Sequence, residues 1–178
     1  MTSTQAIEDL IALARYRWAI PLLTMIAARG GARFIELLHG MNISRESLSR
    51  TLDGARAAGW VVRNPGHGHP LRPEYILSAE GKRLAQKASI IDTAQATLNL
   101  KPEKMTRWGL PIVRSIADGN QRFNDLARAL VPAGPRALSQ GLRSLSAQQI
   151  VTRELSDGYP PYSRYSLTGN GWILAQAA

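Results

Sequence analysis

At 178 residues and 44% hydrophobic, the chain has enough apolar material for one mid-sized domain or two small ones. Its formal net charge of +9 and pI of about 10.6 favour a polyanionic partner, nucleic acid first and an anionic membrane surface second. The lack of cysteine excludes disulfides, thiolate metal sites and thiol-based redox sensing, and no apolar run approaches the roughly 20 residues of a membrane-spanning helix.

The first residues carry Glu8 and Asp9 ahead of the apolar run and lack the basic opening of a secretory signal, so a cytoplasmic protein is expected. From Gln5 to Tyr16, Ile7, Leu10, Ile11 and Ala14 recur at helical spacing and predict an amphipathic helix. A second helix is expected over Trp18 to Ala28, with Pro21 in its first turn, where a missing amide leaves no acceptor unpaired. Arg33 to Val61 reads as a helix-turn-helix whose second helix is N-capped by Ser44. Trp60-Val61-Val62 and Glu74-Tyr75-Ile76-Leu77 have the composition of strands, and the turn-rich Asn64 to Pro70 between them predicts a hairpin. Ser78 then caps a helix from Ala79 to Leu98, which Lys101-Pro102 ends.

The same order follows again. A helix is expected over Trp108 to Ala117, with Pro111 early in it. In the stretch Arg122 to Val151, Phe123, Leu126, Ala127 and Leu130 mark one helix, Pro132-Ala133-Gly134-Pro135 a break, and Leu138, Leu142 and Leu145 a second helix with Pro135 in its first turn. Strands are expected at Ile150-Val151-Thr152 and Ser163 to Leu167 around a turn at Ser156 to Pro161, and Thr168 is a further N-cap.

This recurrence is an internal repeat at a nearly constant offset of 90. Arg17-Trp18 returns as Arg107-Trp108, Pro21 as Pro111, Leu48-Ser49 as Leu138-Ser139, Tyr75 as Tyr165 and Gly81 as Gly171. Only around Arg33-Phe34 and Arg122-Phe123 does the offset slip to 89. The expected domains are therefore 1–86, an N-terminal helix plus the first repeat, and 107–178, the second, joined by a partly helical linker at 87–106. Residues 1–86 and 107–178 each carry an excess of four basic residues, so the charge is spread over both halves and not held in a tail. Helix, helix, helix, hairpin, helix is the order of a winged helix. The fold expected is thus mainly α with small β-hairpin wings, as two tandem winged helix-turn-helix domains.

The leucine stripe of the second repeat's recognition helix leaves Arg136, Ser139, Gln140 and Arg143 facing outward, and such side chains suit phosphates and base edges. Arg45, Ser47, Ser49 and Arg50 hold the corresponding positions in the first repeat, where Glu46 and Asp53 would repel phosphates unless paired with Arg50 or set against a cytosine amine. The expected hairpins add Arg72 and Arg164 as further basic candidates. The plainer reading of all ten is a solvated basic face. His67 and His69 have a metal-compatible spacing but no acidic or thiol partners, so loop histidines are the expectation and no metal or cofactor is predicted. Neither a nucleophile with an aligned base nor a phosphate loop stands out, which argues against an enzyme.

Several of these motifs resemble the HxlR-type winged helix-turn-helix regulators, a branch related to the MarR-like group. The second repeat carries the resemblance best. It shows Arg107-Trp108, Gly119, Arg122-Phe123-Asn124-Asp125-Leu126, Gly134-Pro135-Arg136-Ala137-Leu138-Ser139-Gln140, Pro160-Pro161 and Tyr165-Ser166-Leu167-Thr168 with Gly171. The first keeps Arg33-Phe34, Leu37, Leu48-Ser49, Pro70 to Tyr75 and Gly81. The resemblance implies a sequence-specific regulator of transcription on double-stranded DNA, with recognition helices in the major groove and wings toward the minor groove. Members of this type usually carry one such domain and act as homodimers; two in one chain imply an intramolecular pseudo-dimer. The cysteine through which some members sense oxidants is absent here. A small-molecule effector and a homodimer of the two-domain chain stay open, as do two other readings, a protein-interaction module that has lost DNA and a replication-initiator-like protein.

Overall fold

A computed structural model describes residues 3–66, 72–156, 159 and 161–178. Both wing tips, including the His67 and His69 pair, Pro70 and Pro160, lie outside the described residues. In chain order the elements are α1 (Ser3–Leu13), α2 (Ala19–Arg29), α3 (Phe34–Met41), α4 (Arg45–Ala57), β1 (Val61–Arg63), β2 (Tyr75–Leu77), α5 (Ala79–Thr97), a 3₁₀ turn (Pro102–Lys104), α6 (Gly109–Ala117), α7 (Phe123–Ala129), α8 (Pro135–Ala147), β3 (Val151–Ser156), β4 (Tyr162–Leu167) and α9 (Gly169–Ala177). The chain is mainly helical, with two small antiparallel hairpins, as the residue pattern predicts.

The chain divides into two compact units, residues 15–93 and residues 1–14 with 94–178. The first is built on α2, whose Leu22, Leu23 and Ile26 are buried with Leu37 of α3, Leu48 and Leu52 of α4, and Leu84 and Ile91 of α5. Tyr16 meets Trp60 edge-on at 6.4 Å, and Gly54 of α4 leaves the space that the Tyr16 ring fills. In the hairpin Val61 faces Leu77 and Arg63 faces Tyr75, and Ala32 adds a short third edge by exchanging backbone hydrogen bonds with Tyr75.

The second unit repeats this plan, with Ile112, Val113 and Ile116 of α6 buried among Leu126 of α7, Leu138, Leu142 and Leu145 of α8, and Leu174 of α9. Its hairpin is longer, running in register from Val151 opposite Leu167 to Ser156 opposite Tyr162. The N-terminal helix joins this unit by packing on α6, although in sequence it precedes the first repeat. Its buried stripe is Ala6, Leu10 and Leu13, with Ile7, Ile11 and Ala14 only partly covered, so the apolar face is turned by about one residue from the expected one. The helix also stops at Leu13, three residues short of the expectation.

Both hairpins hand over to their last helix through the same device. The Ser78 hydroxyl accepts from the Gly81 amide at 3.0 Å and donates to the Gly59 carbonyl at 2.6 Å. The Thr168 hydroxyl likewise accepts from the Gly171 amide at 3.1 Å and donates to the Gln149 carbonyl at 2.7 Å. Each cap thus satisfies an orphan helix amide and pins the helix to the turn before the strand. Helix α5 is continuous from Ala79 to Thr97, so the first eleven residues of the expected linker are helix, and Asn99 then turns the chain with a positive φ of 52°.

Candidate nucleic-acid interface

In the second unit, α7 and α8 form the helix-turn-helix. Pro135 takes the first position of α8, where its fixed φ suits a helix and its missing amide costs no bond. With Leu138, Gly141, Leu142 and Leu145 buried, the opposite face is left to solvent. Arg136, Gln140 and Arg143, with Ser144, line one shallow depression of about 430 Å³ on that face. Arg143 leans back onto the Ser139 carbonyl at 3.3 Å, while Arg136 and Gln140 have no hydrogen-bond or ion-pair partner among the described residues. No acidic residue occurs anywhere in α8, and Gly134 gives it no side-chain cap.

The corresponding helix of the first unit is wired differently. Ser44 caps α4 by accepting from the Ser47 amide at 3.1 Å, and its hydroxyl donates to the Ser47 hydroxyl at 2.9 Å. Ser47 is therefore engaged in the cap. Arg50 pairs with Glu46 at 2.6 Å and Arg56 with Asp53 at 3.8 Å, so both acids of this helix have basic partners on the helix itself. Arg45 stacks over the Phe34 ring at 5.3 Å, and Ser49 is half-buried. Three arginines against two acids leave α4 a formal charge of +1, where the two arginines of α8 give +2.

In the wings, Arg72 is exposed and lies against Gly66, whose missing side chain makes the room. Arg164 is also exposed but is held by the Gln121 side chain at 2.7 Å, in mid-strand opposite Glu154, and not at the wing tip. A feature that sequence reasoning missed lies beside it. The Arg122 guanidinium stacks on the Tyr162 ring at 3.8 Å, joining the start of α7 to the start of β4. A hydrogen bond with Ser156, and then Arg122, hold the Tyr162 hydroxyl below the usual phenol range. Arg122 and Tyr162 are forty positions apart, so no local pattern could have signalled the pair. Tyr75 in the other hairpin shifts the opposite way, raised by burial and by neighbouring Glu74. The arrangement offers cationic and amide donors on an exposed helix face with a strand pair beside it. Among the described residues no His or acidic cluster could hold a metal ion, and no helix is long and apolar enough to cross a membrane.

The family model described as HxlR-like helix-turn-helix matches twice, over residues 13–99 and 105–177. The uncharacterised HTH-type transcriptional regulator YvaP of Bacillus subtilis is 36% identical over 69 residues, 39% of this chain and 64% of that protein. The uncharacterised HTH-type transcriptional regulator YtfH of Escherichia coli is 33% identical over 66 residues, 37% of this chain and 52% of that protein. The chain thus spans between half and two thirds of the length of these relatives. Among solved structures, a transcriptional regulator of the MarR family from Enterococcus faecalis matches at 32% identity over 49% of this chain and 74% of its own, with a TM-score of 0.39. Diamide-treated YodB of B. subtilis matches at 26% identity over 46% and 78%, also at 0.39. With both repeats matched by one family model, the chain belongs to the HxlR-like helix-turn-helix family and carries that domain twice.

Proposed function

We propose that this protein is a cytoplasmic, non-enzymatic regulator of transcription that binds double-stranded DNA sequence-specifically, with the second unit doing most of the reading. The observation that carries this is the outward face of α8, where Arg136, Gln140 and Arg143 converge without an acid on the helix. Arginine can take a guanine edge in bidentate fashion and glutamine an adenine edge, while the uncapped start of α8 offers backbone amides to a phosphate. Ser139 lies on the same helix at the margin of that face. Arg164 and Arg72 supply positive charge on the two hairpins, toward a minor groove.

In this reading the two units act as the halves of a one-chain pseudo-dimer, and their unequal helices favour an asymmetric operator. Arg45 and Arg50 then contribute mainly phosphate contacts, which position without specifying. Exposed acids on α4 would suit an interaction module that has lost DNA, and the pairing of both Glu46 and Asp53 with arginines weakens that ground.

The test is selection of bound genomic fragments followed by footprinting, then the same measurement on Arg136→Ala combined with Gln140→Ala. Loss of two base contacts should narrow the gap between specific and non-specific duplex by about 2 kcal/mol or more. Unchanged sequence preference removes α8 from base reading, and no duplex binding at low salt removes the proposal.

A further inference from the structure

The last helix of each repeat meets the first in a different way. In the second unit α9 packs directly on α6, and the Arg114 guanidinium fills the seam. It pairs with Asp118 at 3.1 Å and donates to the main-chain oxygen of Ala178 at 3.4 Å, with side-chain exposures of 28% for Arg114 and 22% for Asp118. At the repeat's offset of 90 the first unit has Thr24 in place of Arg114 and Ala28 in place of Asp118. Neither can bridge the gap. A groove of about 810 Å³ lies there instead, walled by Ile26, Ala27, Ile76, Leu77 and Ala85 of α2, β2 and α5.

Polar residues also line this apolar cleft, among them Thr24, Lys82 and Gln86. The Thr24 hydroxyl is buried without a hydrogen-bond partner, which is uncommon for a group that loses its water. Lys82 stands exposed at the edge with no ion-pair partner among the described residues, at the position where the second repeat has Trp172. Gln86 lines the groove nearby, and none of its lining residues is acidic. The volume falls in the range of small-molecule sites, which pair apolar walls with a few fixed polar groups.

We propose that this groove is a binding site for a small amphipathic carboxylate, its apolar body between α2 and α5 and its carboxylate at Lys82. At the two positions where the repeats differ, Thr24 and Ala28 leave the site open in one unit where Arg114 and Asp118 occupy it in the other.

The experiment is calorimetric titration of the full chain with decanoate below its micelle-forming concentration, with acetate and decylamine as comparators. Saturable binding of one decanoate per chain is expected, with no measurable acetate binding and clearly weaker decylamine binding. Lys82→Gln should weaken decanoate about fivefold, the scale of an exposed charge pair. Thr24→Arg with Ala28→Asp, which installs the second unit's closure, should abolish binding. Decanoate that binds Lys82→Gln and wild type alike, or decylamine that binds as well as decanoate, overturns the proposal. Should the double variant fail to fold by circular dichroism, Lys82→Gln, at the exposed rim, still decides.

Discussion

Whether the first unit touches DNA can be decided at Glu46. Its carboxylate lies 2.6 Å from Arg50, yet the side chains are 81% and 72% exposed, so the ion pair contributes only about 0.3–0.5 kcal/mol to the helix. Glu46→Gln should therefore barely change stability. Against a duplex the balance differs, because a phosphate about 6 Å from a unit charge interacts with it by roughly 0.7 kcal/mol even at the dielectric constant of water. Removing that repulsion and releasing Arg50 should tighten binding about three- to tenfold at low salt. The slope of log affinity against log salt should steepen by up to about 0.9, one counterion's worth. Fluorescence anisotropy with a labelled duplex across a salt series measures both. If affinity and slope stay at wild-type values, α4 is a solvated face and the first unit does not bind DNA. A loss of affinity would refute the repulsion argument as well, since it would make Glu46 an acceptor from a cytosine amine.

Two further predictions concern stability. A Cβ at Gly171 would collide with the Ile150 carbonyl, so Gly171→Ala should destabilise by about 1–3 kcal/mol; Gly169→Ala in the same first turn meets open space and should be neutral or slightly stabilising. Thermal melts that rank the two alike would refute the close approach. Burial pushes the Asp92 carboxyl above its ordinary range, so the folded state binds its proton more readily than the unfolded one. That contribution favours folding at acid pH and is lost as pH rises through the folded pKa. Asp92→Asn should therefore be the more stable protein at pH 7 in urea titrations, with the advantage fading as pH falls through the raised folded pKa and gone below about pH 3.9; a variant weaker at neutral pH contradicts this.

The elements were legible because their signals are local. Leucines at positions 138, 142 and 145 fix the buried side of α8, Pro135 fixes its start, and Ser78 and Thr168 announce the helices they cap. What sequence could not show is where an element of one face finds its cover. The N-terminal helix is apolar on one side in any register, and only the surface of α6 selects Ala6, Leu10 and Leu13 as the stripe to bury. The tie of Arg164 to Gln121 and the stack of Arg122 on Tyr162 join residues some forty positions apart, which no periodicity reports.

Comparing the repeats extends what either says alone, because aligned positions share a backbone role and differ only in side chain. At α4 and α8 the difference is charge: an arginine already paired on one helix, arginines on an acid-free helix in the other. At the seam with the last helix the difference is volume, since Arg114 and Asp118 fill what Thr24 and Ala28 leave open. Both changes lie outside the leucine cores, so each unit could keep its fold while its surface diverged. A homodimer of identical chains cannot do this, because every substitution appears in both halves at once. Two copies in one chain free each half to change by itself, and the groove beside α2 lies in the unit whose recognition helix carries Glu46 and Asp53.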